Sequence, residues 1–232
     1  ISKKVFLQTL NRLKKYIIKL KPFRKKTTWI GYENNRDHYS EKDMKDKFSF
    51  LEGISRNNFN NVLDLGCNEG EYSKIFDSNG SNVVSTDFDN ECLNKICTNK
   101  NNNNLTVFKI DLSNPSPAIG WVNKEHESFI KRMEKKFDLV LCLGLIHHLQ
   151  VTERVPLENI LNMLENLTKK KLVIEFVSNK DEKFEQLAGS NIELYLDYSQ
   201  DYFETVIKKK FNILDKLNLK NAKRTLYYLE IK

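Results

Sequence analysis

From Asn61 onward, short runs rich in β-branched and aromatic residues alternate with stretches of helical period, the pattern of a parallel sheet with helices on both faces. Strands are predicted at Asn61–Leu65, Asn82–Thr86, Leu105–Ile110, Phe137–Leu143 and Lys171–Val177. Helices are predicted between them at Glu71–Asn79, Asn90–Thr98 and Pro156–Leu167, the last opening on a proline whose fixed φ suits a first helical turn. A further helix near Gln200–Lys210 leads to two closing strands, Phe211–Leu217 and Arg224–Glu230, joined too closely for a crossover and therefore antiparallel. Turn formers predict loops at Asn101–Asn104 and Asn114–Pro117. Gly120–Lys136 is longer than a usual connection and reads as a helical insertion on the ligand face. The expected architecture is α/β: a doubly wound, Rossmann-like, seven-stranded sheet with an antiparallel last strand.

The N-terminal segment has a different period. Phe6, Leu10, Leu13, Ile17 and Leu20 recur at spacings of four, three, four and three, an apolar stripe on one helical face with lysines around the rest. Pro22 marks the expected stop. Three parts are therefore expected: a basic amphipathic helix or linker over 1–26, an aromatic cap or lid over 27–60, and the main domain over 61–232.

Charge sharpens that division. The formal net charge is +7, but ten of the 38 Lys and Arg precede Thr27 with no acid among them, leaving 28 against 31 acids over the rest. A nucleic-acid partner is not expected on the mildly acidic main body, because phosphate tracking needs clustered cations where the ligand lies. The basic helix suits an anionic membrane surface, a partner protein or a preceding domain. A start at Ile1 rather than Met suggests a piece of a longer chain.

With 40% hydrophobic and 30% charged residues, the 232-residue chain is too apolar for disorder and long enough to bury a core without staples. Cys67, Cys92, Cys97 and Cys142 form no CxxC pair and have no histidines at zinc spacing, so neither a disulfide scaffold nor a metal site is expected and a reducing compartment is the default. The longest nearly apolar run, Leu139–Ile146, is too short to span a bilayer. A cytoplasmic location is expected, free or peripheral to the inner face of the membrane.

The chemistry concentrates at Val62-Leu63-Asp64-Leu65-Gly66-Cys67-Asn68-Glu69-Gly70, a strand ending in an acid and a glycine turn that opens a helix. In a doubly wound sheet, ligands bind beyond the carboxyl ends of the strands. Gly66 and Gly70 permit close backbone approach or positive φ. Asp87 closes the second strand, where a carboxylate can accept both ribose hydroxyls, and Phe88 could pack on an adenine face. The turn lacks the second glycine of a pyrophosphate-binding fingerprint, and Asp64 brings negative charge that disfavours a diphosphate and favours a cation such as a sulfonium bearing an amino group.

On these residues the chain resembles the class I S-adenosylmethionine-dependent methyltransferases from about Asn61 to its C-terminus. The resemblance implies S-adenosyl-L-methionine as cofactor, with the first motif on Asp64, Gly66, Cys67, Asn68 and Gly70 around the methionine part. It places the ribose acid on Asp87 beside Phe88 and the adenine-side acid on Asp111 beside Leu112. The fourth motif falls on Phe137–Leu143, followed by Ile146-His147-His148-Leu149. Asn68 stands where many members carry Gly, and Asn tolerates left-handed φ. Asp111–Ala118, Leu145–Leu149 and Ile174–Val177 are more narrowly similar to members from nodulation-factor and surface-polysaccharide contexts, which implies a small-molecule or glycan acceptor.

Methyl transfer from a sulfonium is an in-line displacement, so the protein must position a nucleophile and, for a hydroxyl, remove its proton. His148, His147 and Glu175 are the candidates for that role, although the histidines could pack or cap and Glu175 could pair with a nearby cation. Asp138 is expected only to start its strand. Trp29, Tyr32 and Tyr39 are expected to fold over the cofactor, and Phe48 to cover the flank of the sheet. Asp181, Glu182, Glu185, Asp197 and Tyr198 lie where substrate contacts are expected. Two other readings stay open: an RNA methyltransferase using the basic arm, and a non-catalytic scaffold of the same fold.

Overall fold

The computed structural model describes residues 2–20, 27, 29–31, 39–98 and 104–232. Pro22, Tyr32 and most of the Asn101–Asn104 loop lie outside the described residues. Helix α1 (Lys3–Lys19) opens on Ser2 and closes on Leu20, and none of its residues is buried. Helix α2 (Glu41–Ser55) starts at a capping box in which the Ser40 hydroxyl accepts from the Asp43 N–H and the Asp43 carboxylate accepts from the Ser40 N–H.

From there the chain alternates: β1 (Asn61–Leu65), α3 (Glu71–Ser78), β2 (Asn82–Asp87), α4 (Asn90–Thr98), β3 (Leu105–Lys109), α5 (Phe129–Met133), β4 (Phe137–Cys142), α6 (Leu157–Leu167), β5 (Thr168–Val177), α7 (Glu182–Ala188), α8 (Gln200–Ile207), β6 (Phe211–Leu219) and β7 (Arg224–Ile231). The seven strands lie in the order β3-β2-β1-β4-β5-β7-β6. β1 to β5 pair in parallel, and β7 runs antiparallel between β5 and β6.

Each inner strand is buried on both faces, and its alternate residues feed two cores. Leu63, Leu65, Val140, Cys142 and Ile174 pack with Ile160, Leu161 and Leu164 of α6 and Phe203 of α8. Val62, Leu139, Leu141 and Val173 face the other way, onto Leu51 and Ile54 of α2 and Phe76 of α3. The order of strand addition across the sheet reverses between the parallel neighbours β1 and β4, which opens a crevice at their carboxyl ends.

Three expectations shift. Gly120–Lys136 holds a 3₁₀ turn (Trp121–Asn123) and α5, but none of its residues lines the ligand cavity; Ile130 and Met133 instead pack against the core that α6 covers, and Phe129 is buried. The helix expected to reach Lys210 ends at Ile207. Helix α7, capped by the Asp181 carboxylate on the Lys183 and Phe184 N–H groups, occupies the stretch read only as a region of substrate contacts. Among the described residues no helix is long and apolar enough to cross a membrane.

Candidate active site

The turn after β1 is built on left-handed backbone. Gly66, Asn68 and Gly70 have φ of 69°, 50° and 77°. The positive φ favours glycine at Gly66, and a Cβ there would also crowd the Leu145 side chain at 3.2 Å. The N–H groups of Gly66 and Cys67 donate to the Thr86 carbonyl, pinning the turn to the end of β2. Asp87 caps this arrangement, its carboxylate accepting the N–H groups of Asn68 and Asp89 at 2.9 Å each.

Asp64 is buried at the end of β1 and accepts the Ser73 hydroxyl at 2.6 Å. Burial pushes its carboxyl up to about 6; the Ser73 hydrogen bond opposes the rise and the Asp87 charge adds to it. A buried acid held this high favours a cation brought beside it. Burial likewise raises Asp87 above the ordinary carboxylate value. Asp111 is exposed, and the Ser113 hydroxyl holds it below that value.

A cavity of about 420 Å³, within the range of small-molecule sites, brings these residues together. Asp64, Gly66, Cys67, Asn68, Asp87, Phe88, Asp111, Leu112 and Leu143 all line it, as do Trp29, Tyr39 and His148. Gly70 does not line it; it caps the start of α3 and packs against Ile96. The Trp29 carbonyl accepts the Asn68 amide at 3.1 Å, and the Gly31 N–H donates to Glu69 at 2.7 Å, so the segment from Trp29 to Gly31 is strapped to the glycine turn. The Trp29 ring stands edge-on to Phe88 at 6.3 Å and to His148 at 5.1 Å, spanning the cavity between them. Phe48 packs on Tyr72.

The two histidines separate. His148 faces the cavity; burial, then the Arg224 charge, lowers it to about 4, so the ring is neutral at physiological pH with its nitrogen lone pair unprotonated, though a weaker base than a free imidazole. His147 is buried beside it, ring centroids 4.1 Å apart, and lines no part of the cavity.

Glu175 follows the second of its two readings, pairing with a cation. It lies wholly buried near the end of β5, off the cavity wall, and accepts Lys47 Nζ at 2.7 Å and the Tyr39 hydroxyl at 2.5 Å, with Arg224 at 4.0 Å. Burial alone would raise its carboxyl, but the Lys47 and Arg224 charges and the two hydrogen bonds hold it at about 2. So strong a claim on its lone pairs does not fit proton removal; the carboxylate instead holds Tyr39 and Lys47, which do face the cavity. Arg224 completes the group, donating to both oxygens of Asp181 at 2.9 and 3.1 Å and to Tyr39 at 2.8 Å. Asp181 is therefore engaged in fold-holding contacts; Glu182, Glu185, Asp197 and Tyr198 also stand outside the cavity, whose residue from this stretch is Leu187.

Lys47 and Arg224 escaped the sequence reading. The signal for Lys47 was a charge on the buried stripe Asp43, Lys47, Leu51 and Ile54 of α2; Arg224 opens a strand and carries no local mark. Asp138 starts β4 as expected and pairs with Lys170 at 3.1 Å. No metal-binding cluster occurs among the described residues.

The model of a methyltransferase-domain family matches residues 36–215. Nodulation protein NoeA of Rhizobium meliloti (strain 1021) is 29% identical over 238 residues, covering 99% of this chain and 48% of NoeA, so the chain spans about half the length of that curated relative. Among solved structures, the N-methyltransferase NodS from Bradyrhizobium japonicum WM9 is similar at a TM-score of 0.57 and 11% identity, over 83% of this chain and 98% of NodS. NodS has also been crystallised with S-adenosyl-L-homocysteine. PH0226 protein from Pyrococcus horikoshii OT3 follows at 0.56 and 16%, over 84% of this chain and 94% of its own. A family match over most of the chain, on a sheet whose glycine turn and strand-end acids stand in the order of the class I S-adenosylmethionine-dependent enzymes, means that the chain belongs to that methyltransferase family.

Proposed function

We propose that the protein transfers the methyl group of S-adenosylmethionine to a hydroxyl oxygen of a small molecule or glycan. The observation that carries this reading is the convergence, on one cavity, of buried Asp64, strand-end Asp87 and a neutral His148. When bound, the cofactor supplies a methyl group on a positively charged sulfur. Asp64 offers negative charge to the cationic end, Asp87 accepts the ribose hydroxyls, and Asp111 and Leu112 border the base beside Phe88. Trp29 and Tyr39 close over the site and exclude water. His148 accepts the acceptor's hydroxyl proton as its oxygen takes the methyl group, leaving a methyl ether, S-adenosylhomocysteine and an imidazolium. The resemblance of Asp111–Ala118, Leu145–Leu149 and Ile174–Val177 to members from surface-polysaccharide contexts supports a glycan-type acceptor.

The test is calorimetric titration with S-adenosylhomocysteine, with NAD as control, followed by a screen of hydroxylated sugars and small molecules. Binding of the first at micromolar concentration and none of the second is expected; a folded chain that binds neither would refute the proposal. His148→Asn is expected to lower kcat by about 10²- to 10⁴-fold with little change in cofactor affinity. The wild-type rate at saturating cofactor should persist well below pH 6.5 and fall only as His148 protonates towards about 4.

Cofactor affinity has its own pH dependence. Asp64 is protonated below about 6, so affinity for the ammonium-bearing product should fall as pH drops through that value, by up to about tenfold per pH unit. Stability of the unliganded chain runs the other way. An acid raised in the folded state stabilises it below the ordinary value of 3.8, and that contribution is lost as pH rises through about 6. Asp64→Asn is thus expected to raise the neutral-pH unfolding temperature while weakening product binding, read by thermal unfolding and calorimetry.

A further inference from the structure

Helix α1 carries more apolar surface into solvent than its own stability can justify. A lone 17-residue helix is marginal in water. This one has two lysines and no acid in its first turns, where the helix dipole disfavours positive charge. Nothing along it is buried, and Leu13 and Ile17 are 52% and 64% exposed. At about 100° per residue, Phe6, Leu10, Leu13, Ile17 and Leu20 share one face. Lys3 and Lys14 flank that face, and Lys4, Arg12, Lys15 and Lys19 lie behind it. Lys21, Arg24, Lys25 and Lys26 follow in sequence, with still no acid.

The occupant of this face has to bury an apolar stripe and neutralise a belt of cations together. Nucleic acid would meet the cations and leave the stripe in water. A second copy of α1 would cover the stripe but bring together two sets of six cations without one acid between them. A bilayer bearing anionic headgroups does both: the stripe enters the headgroup boundary while the flanking lysines reach phosphates from their long stems.

We propose that α1 docks the protein on an anionic membrane surface, lying in the plane of the interface. The test is sedimentation of the full chain with vesicles of equimolar phosphatidylcholine and phosphatidylglycerol, against vesicles of phosphatidylcholine alone. The chain should pellet with the first and stay in solution with the second. Leu13→Glu with Ile17→Glu should weaken partitioning at least about tenfold. Reversing Lys14, Lys15 and Lys19 to glutamate should weaken it at least about a hundredfold. Because all five side chains are exposed, the unfolding temperature should be unchanged, so lost binding cannot be mistaken for misfolding. No pelleting of the wild-type chain, equal pelleting of the Leu13→Glu, Ile17→Glu variant, or a solution dimer that the same substitutions dissociate would each overturn the proposal.

Discussion

Asp87→Ala is expected to abolish measurable binding of S-adenosylhomocysteine while the chain stays folded. Asp87 stands at the carboxyl end of β2 with each oxygen already accepting one backbone N–H, an arrangement that fixes the carboxylate and leaves lone pairs towards the cavity. Two hydrogen bonds from a ribose diol to a charged acceptor are worth about 1.5–3 kcal/mol each, so their loss corresponds to at least about a hundredfold in Kd. The alanine variant also frees the Asn68 and Asp89 N–H groups. Asp87→Asn, whose amide oxygen can still accept one of them, separates ligand loss from loop disorder. Both variants should fail in calorimetry; an alanine variant that binds within threefold of wild type would remove Asp87 from the ribose site.

Glu175→Ala should be the most destabilising single change at this end of the sheet. Removing one member of a buried ion pair costs about 3–5 kcal/mol, because the partner is left charged and dry. Here the stranded partner is Lys47, its side chain only 3% exposed, whereas Arg224 keeps its pair with Asp181. In a domain of this size the loss corresponds to an unfolding temperature lower by roughly 10 °C. The pH dependence has a definite sign: the carboxyl is held at about 2 against an ordinary 4.5, so its stabilisation is present above 4.5 and fades as pH falls towards 2. Thermal unfolding of Glu175→Ala and Glu175→Gln between about pH 3 and 7 reads both effects. A drop under 2 °C in the alanine variant would show the network to be dispensable.

The sheet was legible because its inner strands are buried on both faces and therefore read as apolar runs, and β1 and β2 carry an acid at or beside the ligand edge. Those acids are Asp64 and Asp87. Helices α2 and α7 were not legible. The buried face of α2 carries Asp43 and Lys47 among its apolar residues, so no clean stripe appears. The charged group around Glu175 was harder still. Its hydrogen bonds join Tyr39, Lys47 and Arg224 across separations of 128 to 185 residues, and periodicity, a property of neighbours, is blind to such distances. Glu175 itself stood out as an acid in an apolar strand, but a lone residue type does not say whether its charge is spent on chemistry or on a cation.

The place of β7 in the sheet has a consequence for synthesis. It follows β6 in the chain yet lies inside it, between β5 and β6. When Phe211–Leu219 leave the ribosome they have no neighbour to pair with, and the β5 edge stays open until residues 224–231 emerge. Arg224 arrives with that strand, so Asp181 waits without its guanidinium and Glu175 with only Lys47 and Tyr39 until the same moment. Closure of the sheet and completion of the charged group are therefore one late event, and a nascent chain stalled before Arg224 would present an unpaired, apolar β5 edge to chaperones and proteases.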